Sequence, residues 1–245
     1  MENTKISILG IPFTNITFDD MADKLAVKIL NKEKTFVVTA NPEIVMFAKR
    51  NREYEKIIKC ADDIVPDGFG VLLASSIQKT PIKERVTGYD LTIRLLEMCA
   101  QNSWSVYLLG GKEEINAAAA DNIKKNFKGL KLVGRHHGYF SGNEEGIVKE
   151  IQNKEPDLVL VALGFPRQEQ WISSHLSSFQ KGVFMGVGGS IDVLSGTVKR
   201  APGIWRKLNL EWLYRLLKQP SRWRRMLVLP IFVLEVLRTG KKKSS

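Results

Sequence analysis

The chain has 245 residues, 44% hydrophobic and 26% charged, enough for one large buried core and ordinary for a soluble globular protein. Its formal charge of +11 is confined to one end: from Lys199 onward there are thirteen Lys and Arg against Glu211 and Glu235, and residues 1–198 balance at 24 basic and 24 acidic groups. Cys60 and Cys99 lie far apart with no C-x-x-C spacing, which excludes a disulfide framework or a zinc site as the organising device, and no signal-peptide core follows Met1, which points to the cytoplasm.

Taken in order, strand-like apolar runs at 6–9, 35–39, 64–65, 105–109, 130–133, 158–163 and 182–187 alternate with helical patterns near 19–31, 43–59, 69–78, 89–102, 113–127, 143–153 and 167–178. Several of the runs are almost continuously apolar, as strands covered on both faces should be. The alternation predicts an α/β fold with a doubly wound, mostly parallel, Rossmann-like sheet over residues 1–200. Residues 201–245 then form a basic amphipathic helical appendage.

Ligands of such sheets collect at the carboxyl ends of the strands. At those ends stand Thr39 and Asn41, Asp67 in a Pro-Asp-Gly turn, Gly110 and Gly111, Gln168 and Glu169 behind Gly164, and Gly188. Each loop alone is ordinary turn chemistry, and Asp67 could equally cap the helix that starts near Phe69. Four of these loops, after Thr39, Leu109, Leu163 and Val187, together on one edge favour a phosphorylated ligand, because glycine lets backbone N–H groups and helix N-termini approach an anion.

Familiar fingerprints fail. The stretch from Gly186 to Ile191 lacks the last glycine of G-x-G-x-x-G, and Gly110-Gly111-Lys112 lacks P-loop spacing, so neither NAD nor ATP is supported and no cofactor is expected. No D-x-D pair occurs to bind a metal-bridged nucleotide diphosphate, and His136, His137 and His175 have no metal-ligand spacing, so no metal site is expected.

The basic end differs in kind. Residues 204–218 place Leu208, Trp212 and Leu216 on one helical stripe flanked by Arg206, Lys207, Arg215 and Lys218. Pro220 ends that helix, and Ser221 opens another with Arg222, Arg224 and Arg225 in its first turn, where cations oppose the helix dipole and therefore serve something outside it. The apolar run 226–234 is short beside the ~20 residues needed to cross a bilayer. An anionic membrane surface is the favoured partner; the alternative is that the aromatics pack on the main domain or on another subunit of a homo-oligomer. Nucleic acid is not expected, because the cations are interleaved with Leu and Trp and no nucleic-acid motif is present.

The stretches 39–43 (T-A-N-P-E), 65–68 (V-P-D-G), 85–90 (R-V-T-G-Y-D), 164–169 (G-F-P-R-Q-E) and 186–189 (G-V-G-G) together resemble the bacterial WecG/TagA/CpsF glycosyltransferase family, in matching order and spacing from about Lys5 to Arg200. The tail is similar to the membrane-targeting appendage of the teichoic-acid branch. The resemblance implies inverting, metal-independent transfer of N-acetylmannosamine from its UDP donor to the 4-hydroxyl of undecaprenyl-diphosphate-linked N-acetylglucosamine, by an enzyme peripheral on the inner face of the plasma membrane. Sister branches using glucose or N-acetylmannosaminuronic acid share such motifs, and a UDP-sugar-binding protein without turnover is the alternative. Within the implied reaction Asp67 is the base. Thr39 and Asn41 orient sugar hydroxyls, Arg85 and one of Arg215, Arg222 or Arg225 bind the diphosphate, and Gln168 and Glu169 contact the nucleotide or hold their loop.

Overall fold

A computed structural model describes residues 4–140, 142–218, 220, 223 and 227–242. Two short strands, β1 (Lys5–Ile8) and β2 (Ile11–Thr14), form an antiparallel hairpin by themselves. Leu9 and Gly10 both take positive φ, the backbone of a tight two-residue turn, and β2 was not among the predicted strands.

Helix α1 (Phe18–Leu30), capped by Thr17, leads into β3 (Lys34–Ala40). The single predicted helix at 43–59 is two helices, α2 (Pro42–Arg50) and α3 (Arg52–Lys59). Asn51 is extended between them and its side chain accepts from Tyr54 N, so it caps the second as it ends the first. Then follow β4 (Asp63–Pro66), α4 (Phe69–Ile77), α5 (Gly88–Asn102), β5 (Ser105–Gly110), α6 (Glu113–Asn126), β6 (Lys131–His136), α7 (Glu144–Lys154), β7 (Leu158–Ala162), α8 (Arg167–His175), β8 (Gly182–Gly186) and α9 (Ser190–Leu194).

Six strands make one sheet in the order β4-β3-β8-β7-β5-β6, and every pairing is parallel. Its central strands are buried on both faces: all five residues of β7 and all five of β8 are buried. One face is covered by residues of α2, α3, α7 and α8 together with the hairpin, the other by residues of α1, α5, α6 and α9. Thr14 of the hairpin donates to buried Asp63 at the start of β4 (3.0 Å), and Lys24 of α1 pairs with the same carboxylate at 2.6 Å.

The basic end is helical but not continuous. The helix expected over 204–218 is broken into α10 (Gly203–Lys207) and α11 (Glu211–Lys218) by Asn209, whose φ of 58° no helix accommodates. Trp205 and Tyr214 pack across the break, 5.7 Å between ring centres. The last helix, α12 (Val228–Lys242), tolerates Pro230 because it falls in the first turn. It lies on α2 and α4, burying Phe232 and Val236 completely in the core of that face. Lys49 of α2 pairs with its Glu235. No described helix is long and apolar enough to cross a membrane.

Candidate active site

Because the six strands are parallel, their carboxyl ends share one edge. The helices after β3 and β7, α2 and α8, leave on one face, and those after β5 and β8, α6 and α9, leave on the other. A crevice opens at the edge where successive connections part in this way. A cavity of about 240 Å³ at the opposite edge, among Pro156, Phe179, Lys181 and Phe184, is remote from every motif loop.

At the β3 and β4 ends the register pairs Ala40 with Pro66, which sets Asn41 beside Asp67. Asp67 N donates to Ala40 O at 2.9 Å, so the half-buried aspartate is fixed at its backbone before its side chain does anything. Gly68 follows with φ 94°, a left-handed turn that suits glycine, and a β-carbon there would lie 3.9 Å from Asn41 Cβ. Asn41 Oδ1 accepts from Ile44 N (3.1 Å) as the cap of α2, which leaves its amide NH₂ for a ligand. Thr39 Oγ1 donates to Gly186 O at 3.2 Å, tying β3 to the end of β8. The start of α5 presses on it, since a β-carbon at Gly88 would be 3.0 Å from Thr39 Oγ1.

The segment before α5 runs along β4: Val86 N donates to Pro66 O at 3.1 Å. Next to it, Arg85 lines an open groove of about 370 Å³ with Phe18, Thr87, Asp90 and Ile93. Thr87 caps α5, and Asp90 in its first turn takes both guanidinium nitrogens of Arg200, at 2.5 and 2.7 Å. Burial pushes the Asp90 carboxyl up, but the bonds from Arg200 and Thr87 outweigh it and hold it below the ordinary value. Arg200 lies 4.6 Å over the Tyr89 ring and reaches toward Glu211 of α11 at 3.9 Å.

On the other side of the crevice, Gly110 turns at φ 121°, where a β-carbon would be 2.3 Å from Ala162 O. Gly111 N donates to that oxygen at 3.0 Å, and Gly138 N donates to Gly111 O at 2.7 Å. Buried Asn116 binds Gly110 O (2.7 Å) and His136 O (3.1 Å), locking the ends of β5 and β6 together. Arg167, at the start of α8, donates to Gly138 O at 3.3 Å.

Gln168 and Glu169 are buried, 5% and 1% exposed. Gln168 Oε1 accepts from Gly188 N (3.0 Å), while its Nε2 donates to Glu169 Oε1 (2.7 Å). Glu169 Oε2 accepts from the Tyr54 hydroxyl of α3 at 3.1 Å. Burial raises the Glu169 carboxyl to about 7, against the lowering pull of these donors. The N–H groups of Gly111 and Gly188 are thus engaged within the protein. α4 and α6 also start at this edge with no side-chain cap, as do α8 and α9.

Of the arginines expected to reach the diphosphate, Arg222 and Arg225 lie outside the described residues, as does the side chain of Arg215 on α11. Among the described residues no group of three His, Cys, Asp or Glu side chains is placed to hold a metal ion.

The family model described as Glycosyl transferase WecG/TagA/CpsF family matches residues 6–245, nearly the whole chain. The chain belongs to that family. Curated relatives agree: the chain is 39% identical over 240 residues, 97% of its length and 94% of theirs, to proteins of Staphylococcus aureus strains MRSA252 and NCTC 8325 / PS 47. Each is named N-acetylglucosaminyldiphosphoundecaprenol N-acetyl-beta-D-mannosaminyltransferase.

In this glycosyltransferase the stretches through which the sequence resembles its family lie at one sheet edge, although they come from five separate parts of the chain. Reading the sequence did not find Tyr54, Asn116 or the Asp90–Arg200 pair. Asn116 carried a faint signal, an amide just before a run of alanines in the helix after a glycine turn. Arg200 had been counted only as tail charge, and nothing local links Tyr54 to Glu169, 115 residues away.

Proposed function

We propose that this chain is an inverting glycosyltransferase that moves N-acetylmannosamine from UDP-N-acetylmannosamine to the 4-hydroxyl of undecaprenyl-diphosphate-linked N-acetylglucosamine. The observation that carries the reading is the placement of Asp67 beside Asn41 and close to Thr39 at the carboxyl edge of the sheet, in a chain 39% identical over nearly its full length to transferases of that name.

The acceptor oxygen attacks the anomeric carbon from the face opposite UDP, its proton passes to Asp67, and the bond from that carbon to the β-phosphate oxygen breaks. A positioned carboxylate contributes about 10²–10⁴-fold in such a step. Thr39 and the Asn41 amide orient sugar hydroxyls. The leaving diphosphate takes the uncapped N-termini of α4 and α6, with Arg85 and the tail arginines Arg215, Arg222 and Arg225. The glycines at 110, 111 and 188 serve by shape, since the N–H groups of Gly111 and Gly188 are already bonded.

Residues 201–245 act as a basic amphipathic attachment to the anionic inner face of the plasma membrane. Support comes from the charge of this end and from its exposed apolar side chains, Ile204 (71%), Leu208 (64%), Leu217 (64%), Trp223, Leu227, Ile231 and Leu234. The transfer is metal-independent in this reading, because the sequence has no D-x-D pair and arginines with helix dipoles meet the charge.

Full-length protein incubated with UDP-N-acetylmannosamine and the lipid-diphosphate acceptor should release UDP in step with disaccharide-lipid formation, with or without chelator. UDP release only with UDP-glucose or the uronic acid donor would reassign the sugar. Activity abolished by chelator and restored by Mg²⁺ would refute the metal-free account, and binding of UDP-sugar without release would leave a binding protein.

A further inference from the structure

Glu169 is buried, and its described partners are neutral: the Tyr54 hydroxyl, the Gln168 amide and its own backbone N–H. Tyr54, Phe47 and Phe165 pack edge to face beside it, with ring centres 5.0–5.7 Å apart. Burying a carboxyl without a cation is costly, so its hydrogen bonds must fix something a hydrophobic side chain could not. What they fix can be followed atom by atom. In its ionised form the carboxyl only accepts, so both its oxygens draw donors, and the Gln168 amide turns its NH₂ toward Glu169. Its carbonyl oxygen then has one direction left, toward Gly188 N at 3.0 Å. The seat is tight: a β-carbon at Gly186 would lie 2.6 Å from Gln168 Nε2. Gly186 in turn gives its carbonyl to Thr39. One run of contacts therefore joins α3, α8, the loop after β8 and Thr39.

We propose that Glu169 is a positioning residue for donor binding, which by imposing the orientation of the Gln168 amide anchors Gly188 and sets the β8 loop and Thr39 against the nucleotide sugar. This rests on the reading of the sheet edge as a UDP-sugar site. Glu169 itself touches no substrate. In Glu169→Gln the side chain at 169 offers one donor and one acceptor, so the Gln168 amide is free to turn and present NH₂ to the Gly188 N–H.

The test uses full-length chain and UDP itself as probe. Glu169→Gln should weaken UDP binding measured by calorimetry about ten-fold, and raise KM for the donor by a similar factor with kcat and acceptor KM little changed, as expected when a buried donor loses its partner. Tyr54→Phe, which removes one hydroxyl and keeps the ring packing, should give a smaller shift in the same direction, and Gln168→Glu in the Glu169→Gln background should restore part of the affinity by returning an acceptor-only group to Gly188. Unchanged UDP affinity in a folded Glu169→Gln, or a loss of melting temperature without a change in donor KM, would overturn the proposal. Should Glu169→Gln not fold, Tyr54→Phe decides by the same measurements. Wild-type chain that binds no UDP would sink the reading of the site and this proposal with it, whereas wild type that binds UDP and a variant that binds it equally would overturn the proposal alone.

Discussion

The sheet domain and the C-terminal segment solve opposite problems with the same residue types. Between β3 and β8, apolar side chains are buried on both faces of the sheet, and over residues 1–198 the charge is balanced. In the segment from Gly203 onward the apolar residues divide. Phe232 and Val236 point into the core, while Ile204, Leu208, Leu217, Leu227, Ile231 and Leu234 face outward among cations. An exposed apolar face with one sign of charge around it is a surface shaped for something else. The contrast teaches that the inner face of α12 belongs to the fold and the outer faces of α10, α11 and α12 belong to the proposed function.

The severest way to break the comparison is to remove the segment. Deleting residues from Gly203 onward should abolish sedimentation with anionic vesicles and turnover on lipid-linked acceptor. It should also lower the melting temperature, because Gly70 loses the cover of Leu229 and the core loses buried Phe232. A truncated chain as active as the intact one on a soluble acceptor would make the segment an anchor and nothing more.

Phe232→Ala separates the two faces of α12. Truncating a fully buried Phe costs about 3–5 kcal/mol, and here the cost should fall on docking of α12. Hydrogen exchange should speed up in α12 and leave β7 and β8 protected; equal deprotection of the central strands would show that the segment is inseparable from the core.

How much of this was legible beforehand follows from where each signal resides. The central strands could be read because a strand covered on both faces is apolar throughout, and parallel order then places Thr39, Asn41, Asp67, Gly110 and Gly188 at one edge. β2 was missed because Pro12 and only four residues give little pattern. The helix at 43–59 was read as one because its apolar period continues across Asn51, and the helix at 204–218 because Asn209 does not announce a left-handed turn. The Tyr54–Glu169–Gln168–Gly188 run was invisible, since three distant segments meet only once the sheet is built. It also changes how Gly188 is understood: its N–H, available on paper to a phosphate, is held by Gln168.

A smaller effect sharpens the domain side of the comparison. Burial raises Glu169 from an ordinary 4.5 to about 7, so its protonated form is favoured by folding. Its contribution is fully present below pH 4.5 and is lost as pH rises through 7. A shift of that size corresponds to roughly 3 kcal/mol. Denaturant titrations of wild type and Glu169→Gln should differ in slope between pH 5 and 7, with wild type alone losing stability; parallel curves would mean that the carboxyl is not desolvated.

Smallest should be Asp90→Asn at the junction of the two regions. The Asp90 carboxylate is more than a third exposed, so loss of its pairing with Arg200 should cost about 1 kcal/mol after solvent screening. Because its carboxyl is held below the ordinary value, the wild-type advantage is present above that value and disappears as pH falls through the depressed one. An advantage that persisted at low pH would assign the effect to packing on Tyr89.

The central claim is that Asp67 takes the acceptor's proton at an edge that binds the donor by other groups. The direct measurement is turnover of Asp67→Asn with UDP-N-acetylmannosamine and lipid-linked acceptor, alongside its affinity for UDP by calorimetry. The account predicts a kcat lower by about 10²–10⁴-fold with UDP affinity retained. Near-wild-type turnover, or a loss of turnover explained wholly by lost UDP binding, would contradict it.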